Sequence, residues 1–379
     1  MKQTVTAKLQ ILVSVSDQQK LCDTMRAYSA ACNYVSEYIF GTHDLSRYSV
    51  QEKTYYQVRD IYGLRSQMAV SCVRTVIAKY RTILENQQEW IKPVFRAPQL
   101  DLAWNRDYSI NKDMTIFSVN TLEGRIKVPF YKNSFEKYFE PGCKFGTAKL
   151  VHKHGKFFLH IPVTYEIDEL QAGNVCNIVG VDRGIRFLAT AYDSKGKTTF
   201  YSGSEVKQKR AHYKKVRQQL QKVGTPSSRR RLKAIGQREN RWMSDVNHCL
   251  SKALVENNPE GTLFVIEDLT GVRAAIERVK VKDRYVSVSW AYYDLEQKLI
   301  YKAEKNHQRV EKVPAAYTSQ ACPKCGHTEK ANRNKKKHIF CCKNCGYKSN
   351  DDRIGAMNLH RMGINLIVPD AVTEEHAPL

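Results

Sequence analysis

Two CxxC pairs constrain this chain more than any other stretch of it. Cys322 and Cys325 stand in CPKCG, Cys342 and Cys345 in CKNCG, and a polar, lysine-rich loop joins them. Each pair closes in a tight turn ending on glycine, which brings two thiolates within reach of one ion. Two such turns complete a tetrahedral four-cysteine set, the ligand arrangement of structural Zn2+. Directly after the second pair come Asp351 and Asp352, opening a short helix-like run. A metal-stapled module therefore delivers a carboxylate elsewhere in the fold, and the place of delivery decides the chemistry.

The 379 residues, 42% hydrophobic and 26% charged, suit a globular protein of two or three domains. The formal net charge of +23 is extreme. A surface so basic repels itself unless it meets a polyanion, and nucleic acid is the usual one. A membrane surface is the lesser alternative, because no run of about 18 apolar residues and no signal-peptide pattern is present. Four of the eleven cysteines stand in the zinc spacing and the rest are scattered. That usage fits a reducing compartment, a bacterial or archaeal cytoplasm.

Residues 3–15 alternate apolar and polar as a half-buried strand does. Ser16 and Asp17 are placed to cap the helical segment that follows. Two more helices are expected near 50–61 and 65–86, the latter with a core-facing stripe that includes Met68, Val73, Ile77 and Tyr80. From about 92 to 168 the pattern changes to short strands, with HKHGK as a hairpin turn. These features predict a β-barrel domain built from 1–15 and 91–170, interrupted by a helical insertion over 16–90. Asp168 to Gly173 reads as the linker.

Three strands follow at 177–182, 186–192 and 197–202, then two long polar segments at 203–223 and 226–257. Within 207–241 thirteen Lys or Arg stand against one acid, Glu239. Charge runs are ordinarily solvated helix faces, but an excess this one-signed reads as a phosphate-tracking surface. The candidate contacts are Lys207, Lys209, Arg210, Lys214, Lys215 and Arg217 in the first segment and Arg229, Arg230, Arg231 and Lys233 in the second. Lys335 and Lys336, with Arg333, add a basic tip to the knuckle loop. Tyr213 and Trp242 stand among the basic residues, Trp242 with a core-packing reading. GTLFVIEDLTG is a buried strand ending in Glu267 and Asp268. An amphipathic helix over 290–306, a strand near 309–313 and the knuckle module at 318–350 complete the order, with a last helix to about 362.

Asp182 ends one strand, Glu267 ends another, and Asp352 opens a helix. Residues just past the ends of adjacent strands in a mixed sheet converge on one crevice, and carboxylates held close need cations between them. Oxygen ligands with room for waters suit Mg2+ or Mn2+. Two such ions about 4 Å apart activate a water and grip a scissile phosphate, which is phosphodiester hydrolysis. Asp268 falls on the opposite face of its strand from Glu267 by the period of two. Spacing alone does not choose between Asp351 and Asp352.

GVDRGI, VIEDL and TSQ-CPKCG…CKNCG…DDRIGAMN resemble, in order, the three RuvC motifs and embedded zinc knuckle of the TnpB family. These are transposon-encoded RNA-guided nucleases related to the type V CRISPR effectors. The resemblance covers about 177–362 and extends to MKQTVTAKLQ, ACNYVSE and QMAV near the N-terminus. It implies a multidomain α/β plus β-barrel fold: an RNase H-like (RuvC) nuclease domain from 171–317 and 351–379, with the zinc-binding target module 318–350 inserted. A barrel wedge domain interrupted by a helical recognition domain would precede it. Asp182 matches the first RuvC acid and Glu267 the second. Relatives read CGY-x3-R-D-x-N-A-A-x-N, which puts the third acid seven positions past the last cysteine, on Asp352. Asp351 then replaces the usual arginine, and Ile354 and Gly355 replace Asn and Ala. The family further implies a guide (omega) RNA, double-stranded target DNA read beside a short motif, and Mg2+-dependent cleavage at one RuvC site, in a monomer or a homodimer. A miniature type V CRISPR effector, a nuclease-inactive RNA-guided repressor and a conventional transposase are the competing expectations.

Overall fold

Alternation of buried Ala7, Leu9 and Ile11 with exposed neighbours places Lys2–Ile11 in strand β1. The computed structural model describes residues 1–96, 99–130, 136–153, 155–269, 292–314, 316–334 and 337–367. It divides into two units, Met1–Glu166 and Ile167–Leu379. Among the described residues no helix is long and apolar enough to cross a membrane.

In the first unit β1 pairs antiparallel along its whole length with β8 (Lys156–Glu166). Three helices, α1 (Val15–Thr42), α2 (Arg47–Tyr62) and α3 (Ser66–Glu85), follow β1. The side chain of Ser14 accepts a bond from the Asp17 amide at 3.1 Å. The first helix therefore starts at Val15, ahead of the cap expected at Ser16 and Asp17. The remaining strands are β2 (Gln99–Leu102), β3 (Tyr108–Ile110), β4 (Ile116–Thr121), β5 (Gly124–Pro129), β6 (Lys144–Phe145) and β7 (Ala148–Lys153). They form an open sheet in the order β1-β8-β7-β2, with β6 also on β8, and a separate meander β3-β4-β5.

The expected barrel is thus not closed among the described residues. β1 and β2 remain the two edges of their sheet, and the meander joins it through an isolated bridge between Ile11 and Phe130. His154, in the predicted hairpin turn, lies outside the described residues.

The second unit is built on a five-stranded mixed sheet. β9 (Asn177–Asp182), β10 (Phe187–Asp193) and β11 (Thr198–Ser202) run as an antiparallel meander. β12 (Thr262–Asp268) and β13 (Arg309–Pro314) then add in parallel, giving the order β11-β10-β9-β12-β13. The predicted helical segments are α4 (Ser204–Val223) and α5 (Pro226–Glu256). α5 starts on Thr225, whose hydroxyl accepts from the Ser228 amide at 3.2 Å, with Pro226 in the first helical position. α6 spans Tyr292–Lys305 and α7 spans Asp351–Ile367, with residues 368–379 outside the description.

Period-two alternation decides which residues meet which helix. Val179 and Val181 of β9, with Phe264 and Ile266 of β12, join Leu250, Leu254, Leu295 and Leu299 in the core shared with α5 and α6. The other face carries Ile178, Leu263 and Val265, packed with Leu359 of α7. Asp182 and Glu267 fall on that second face, beneath α7. Gly180 makes the approach of α7 feasible: a Cβ there would lie well inside contact distance of the Ala356 carbonyl oxygen and the His360 amide nitrogen. These are backbone atoms that cannot turn aside. Gly180→Ala is expected to destabilise the second unit by about 3 kcal/mol or more, at the upper end of overpacking costs. Thermal unfolding measures it, and an unchanged melting temperature contradicts this seating of α7.

Candidate metal centre

β9 and β12 pair in parallel with Val181 opposite Ile266, so Asp182 and Glu267 follow side by side at the strand ends. The first turn of α7 lies directly on Asp182. A Cβ on Gly355 would sit 3.0 Å from the Asp182 carboxyl carbon. Burial pushes the Asp182 carboxyl well above the usual carboxylate range; the negative charges of Glu267, Asp352 and Asp351 add to this, while Arg333 opposes it. A buried acid pushed up by other acids is a site short of positive charge.

Glu267 is oriented from two sides. The Thr318 hydroxyl donates to its Oε1, and the Arg183 guanidinium donates to its backbone carbonyl. Arg183 is buried and also pairs with Glu296 at 3.3 Å. Asn358 of α7 donates to the carbonyls of Thr318 and Ala321, at 2.6 and 2.9 Å, which fixes the loop that presents Thr318. Asp268 is exposed while Glu267 is half-buried, in line with the strand's period.

Asn350 caps α7, its Oδ1 accepting from the amides of Asp352 and Arg353 at 3.0 and 3.1 Å. Two carboxylates in that first turn also gain from the positive end of the helix dipole. Arg333 Nε donates to Asp351 Oδ2 at 2.9 Å, and its Nη2 stands 4.0 Å from Asp352 Oδ1. Burial raises the Asp352 carboxyl above its ordinary value; Asp351 adds to this, against Arg333, His338 and Arg186. Arg333, expected at the basic tip of the knuckle loop, thus turns inward onto the acids.

The four cysteines converge. Cys322 Sγ lies 3.7 Å from Cys345 Sγ, and Cys325 Sγ 3.5 Å from Cys342 Sγ. Tetrahedral sulfurs each about 2.3 Å from one Zn2+ stand about 3.8 Å apart, so the donor set fits a four-coordinate ion. Asn332 stitches the two turns together, donating to the His327 carbonyl at 3.2 Å and accepting from the Lys343 amide at 2.8 Å. Hydrogen bonding from the His327 backbone lowers Cys325 to about 6. The Tyr347 backbone favours the Cys345 thiolate, but burial and the three neighbouring sulfurs outweigh it and push Cys345 up to about 12. Four thiolates this close together repel one another and need a cation among them. Buried Phe340 and Ile354 pack with Cys322 and Cys342, which ties the module to α7.

Among the described residues, two sets of metal-ligating atoms lie within 4.8 Å of one another: the four cysteines, and His338 with Asp351 and Asp352. Asp182 and Glu267 neighbour the second set without joining it.

The basic helices divide. Lys207, Lys215, Arg229, Arg230, Arg231 and Lys233 are exposed, while Lys214 is half-buried. Arg210 is a correction: it is buried 3.9 Å from Glu239, its charge facing into the hairpin and not toward solvent. Half-buried Arg217 also binds Glu239. Lys209 lies over the Trp242 ring at 4.5 Å, and Trp242 packs against the core. Lys335 and Lys336 are outside the described residues. Arg183, Thr318 and Asn358 were not singled out as site residues in the sequence. For Arg183 and Asn358 the signal was their place inside GVDRGI and DDRIGAMN.

Two family models match the second unit and its approach. The model described as "Cas12f1-like, TNB domain" matches residues 292–359, and OrfB IS605, described as "Probable transposase", matches 160–274. The chain is 27% identical over 241 residues to the CRISPR-associated endodeoxyribonuclease Cas12f1 of Sulfoacidibacillus thermotolerans, covering 59% of this chain and 55% of that one. It is 28% identical over 170 residues to a TnpB-like protein of Methanocaldococcus jannaschii, covering 44% of this chain and 60% of that one. The chain spans about half the length of the curated relatives it matches. Its fold is similar to that of Cas12f1 in a cryo-EM complex with sgRNA and target DNA: TM-score 0.66, 12% identity, 95% of this chain and 99% of that one.

The sulfur geometry predicts one thiolate-bound metal ion per chain, measured by elemental analysis of the purified protein. Cys342→Ser is expected to lose it and to lower the melting temperature, since binding to a structural site is folding free energy. A metal-free wild-type chain of equal stability contradicts the site.

Proposed function

We propose, from its similarity to TnpB-like proteins and Cas12f1 effectors, that the chain is an RNA-guided DNA endonuclease with a single RuvC-like site. The observation that carries the reading is the placement of Asp182 and Glu267 on one face at adjacent strand ends, under the helix that begins with Asp351 and Asp352. The mixed sheet, three antiparallel strands extended by two parallel ones, brings the two acid-bearing strand ends side by side.

Asp182, Glu267 and Asp352 would hold Mg2+ or Mn2+, which when bound lower the pKa of a water and polarise a phosphodiester. The rest is the work of this chain's side chains. Thr318 fixes one carboxylate oxygen of Glu267 and leaves the other for a ligand. The Arg183–Glu296 pair, joined by Lys312 at 3.3 Å from Glu296, holds the end of β12 rigid behind the acids. Arg333 offsets part of the acids' charge, so the pocket need not be neutralised by protons alone. The raised Asp182 carboxyl releases its proton on exchange for a cation, which makes occupancy rise with pH.

The four cysteines would hold Zn2+, clamping the turn from which α7 starts. The exposed lysines and arginines of α4 and α5 would track the phosphates of a guide RNA or of its heteroduplex with DNA, a polyanion suited to a chain of net charge +23. The first unit would read the target-adjacent motif in double-stranded DNA. The cytoplasm of a bacterium or archaeon suits both the chemistry and the unpaired thiols of the knuckle. Retention of all three acids favours this reading over a nuclease-inactive repressor.

With its guide RNA bound, the protein is expected to cut a matched duplex in Mg2+ and not in EDTA. Asp182→Ala should slow cutting by roughly 10²–10³-fold or more, leaving RNA and target binding intact in a gel-shift assay. Normal cutting by that variant would overturn the catalytic assignment, and cutting by the RNA-free protein would favour a conventional transposase.

A further inference from the structure

Asp351, which replaces the arginine of the TnpB pattern, is completely buried. Arg333 accounts for only its Oδ2. Among the described residues its Oδ1 has no hydrogen-bond partner, and neither have His338 Nδ1 or Asp352 Oδ2, all three withdrawn from solvent. His338 Nδ1 faces Asp351 Oδ1 at 3.5 Å, too long for a hydrogen bond, whose N···O distance runs about 2.7–3.2 Å. Atoms about 2.1 Å from one ion lie at most about 4.2 Å apart, so this separation fits a shared ion.

We propose that His338, Asp351 and Asp352 bind a divalent transition-metal ion beside the strand-end acids, with Asp352 belonging to both sets. One imidazole nitrogen with two carboxylates suits a first-row transition ion better than Mg2+, which takes oxygen ligands. Such an ion ties the short strand Ile339–Cys341, which His338 precedes, to the first turn of α7. The site stands on its own atoms and does not depend on the nuclease reading.

Mn2+ alone, titrated into the full chain carrying its cysteine-bound metal and no histidine tag, is the probe. Electron paramagnetic resonance counts bound ions, and its pulsed form detects nitrogen coupled to Mn2+. The wild type is expected to show a nitrogen coupling that persists in Asp182→Ala, whose ligands at the strand ends are carboxylates only. His338→Ala is expected to lose the coupling and to bind this ion at least tenfold more weakly, and His338→Gln to do the same with an unaltered melting temperature. A nitrogen coupling with no further ion at the strand-end acids would support this site while counting against the nuclease reading. Absence of nitrogen coupling in the wild type, or its survival in His338→Ala, overturns the proposal and leaves His338–Asp351 an ion pair.

Discussion

Helix α7 can lie against the central sheet only because position 180 has no side chain. The backbone of Ala356 and His360 occupies the space a Cβ would take. That contact sets the height of the helix above β9, and hence the distance between its first turn and the strand ends. Gly355 repeats the device one turn in, leaving room for the Asp182 carboxyl. A larger residue at either place would lift Asp351 and Asp352 away from Asp182 and Glu267. The chemistry of the site therefore rests on a packing distance before it rests on any acid.

The cysteine module works on the N-terminal end of the same helix. Asn332 locks the two knuckles together, Phe340 and Ile354 fasten them to α7, and Arg333 reaches from the module onto Asp351. Burial, and then the repulsion of neighbouring carboxylates, pushes Asp182 and Asp352 toward the protonated form. The crowding is an electrostatic cost that folding alone does not recover. It becomes an asset once cations are available, because the ligands are already assembled.

Much of this was legible in the sequence because it follows from period and local spacing. A buried strand ending in acid predicts where Asp182 stands, and parity separates Glu267 from Asp268. CxxC turns predict their own convergence. What escaped the sequence depends on partners far apart in the chain. Arg333 meets Asp351 across a hairpin eighteen positions away, so the loop's basic composition suggested a solvent-facing tip where the guanidinium turns inward. Counting charge over 207–241 could not show that Glu239, the single acid there, draws Arg210 and Arg217 inside the helical hairpin. Barrel closure depends on whether two edge strands find each other, which no local pattern encodes. β1 and β2 remain edges. The replacement of arginine by Asp351 was visible as a letter, but its burial and its open oxygen were not.

The most direct test of the account is anomalous diffraction from crystals of the protein soaked in Mn2+. The account predicts a Mn2+ peak in coordinating contact with Asp182 and Glu267, at the start of α7 beside Asp352. Empty density there in Mn2+-soaked crystals at neutral pH would contradict it.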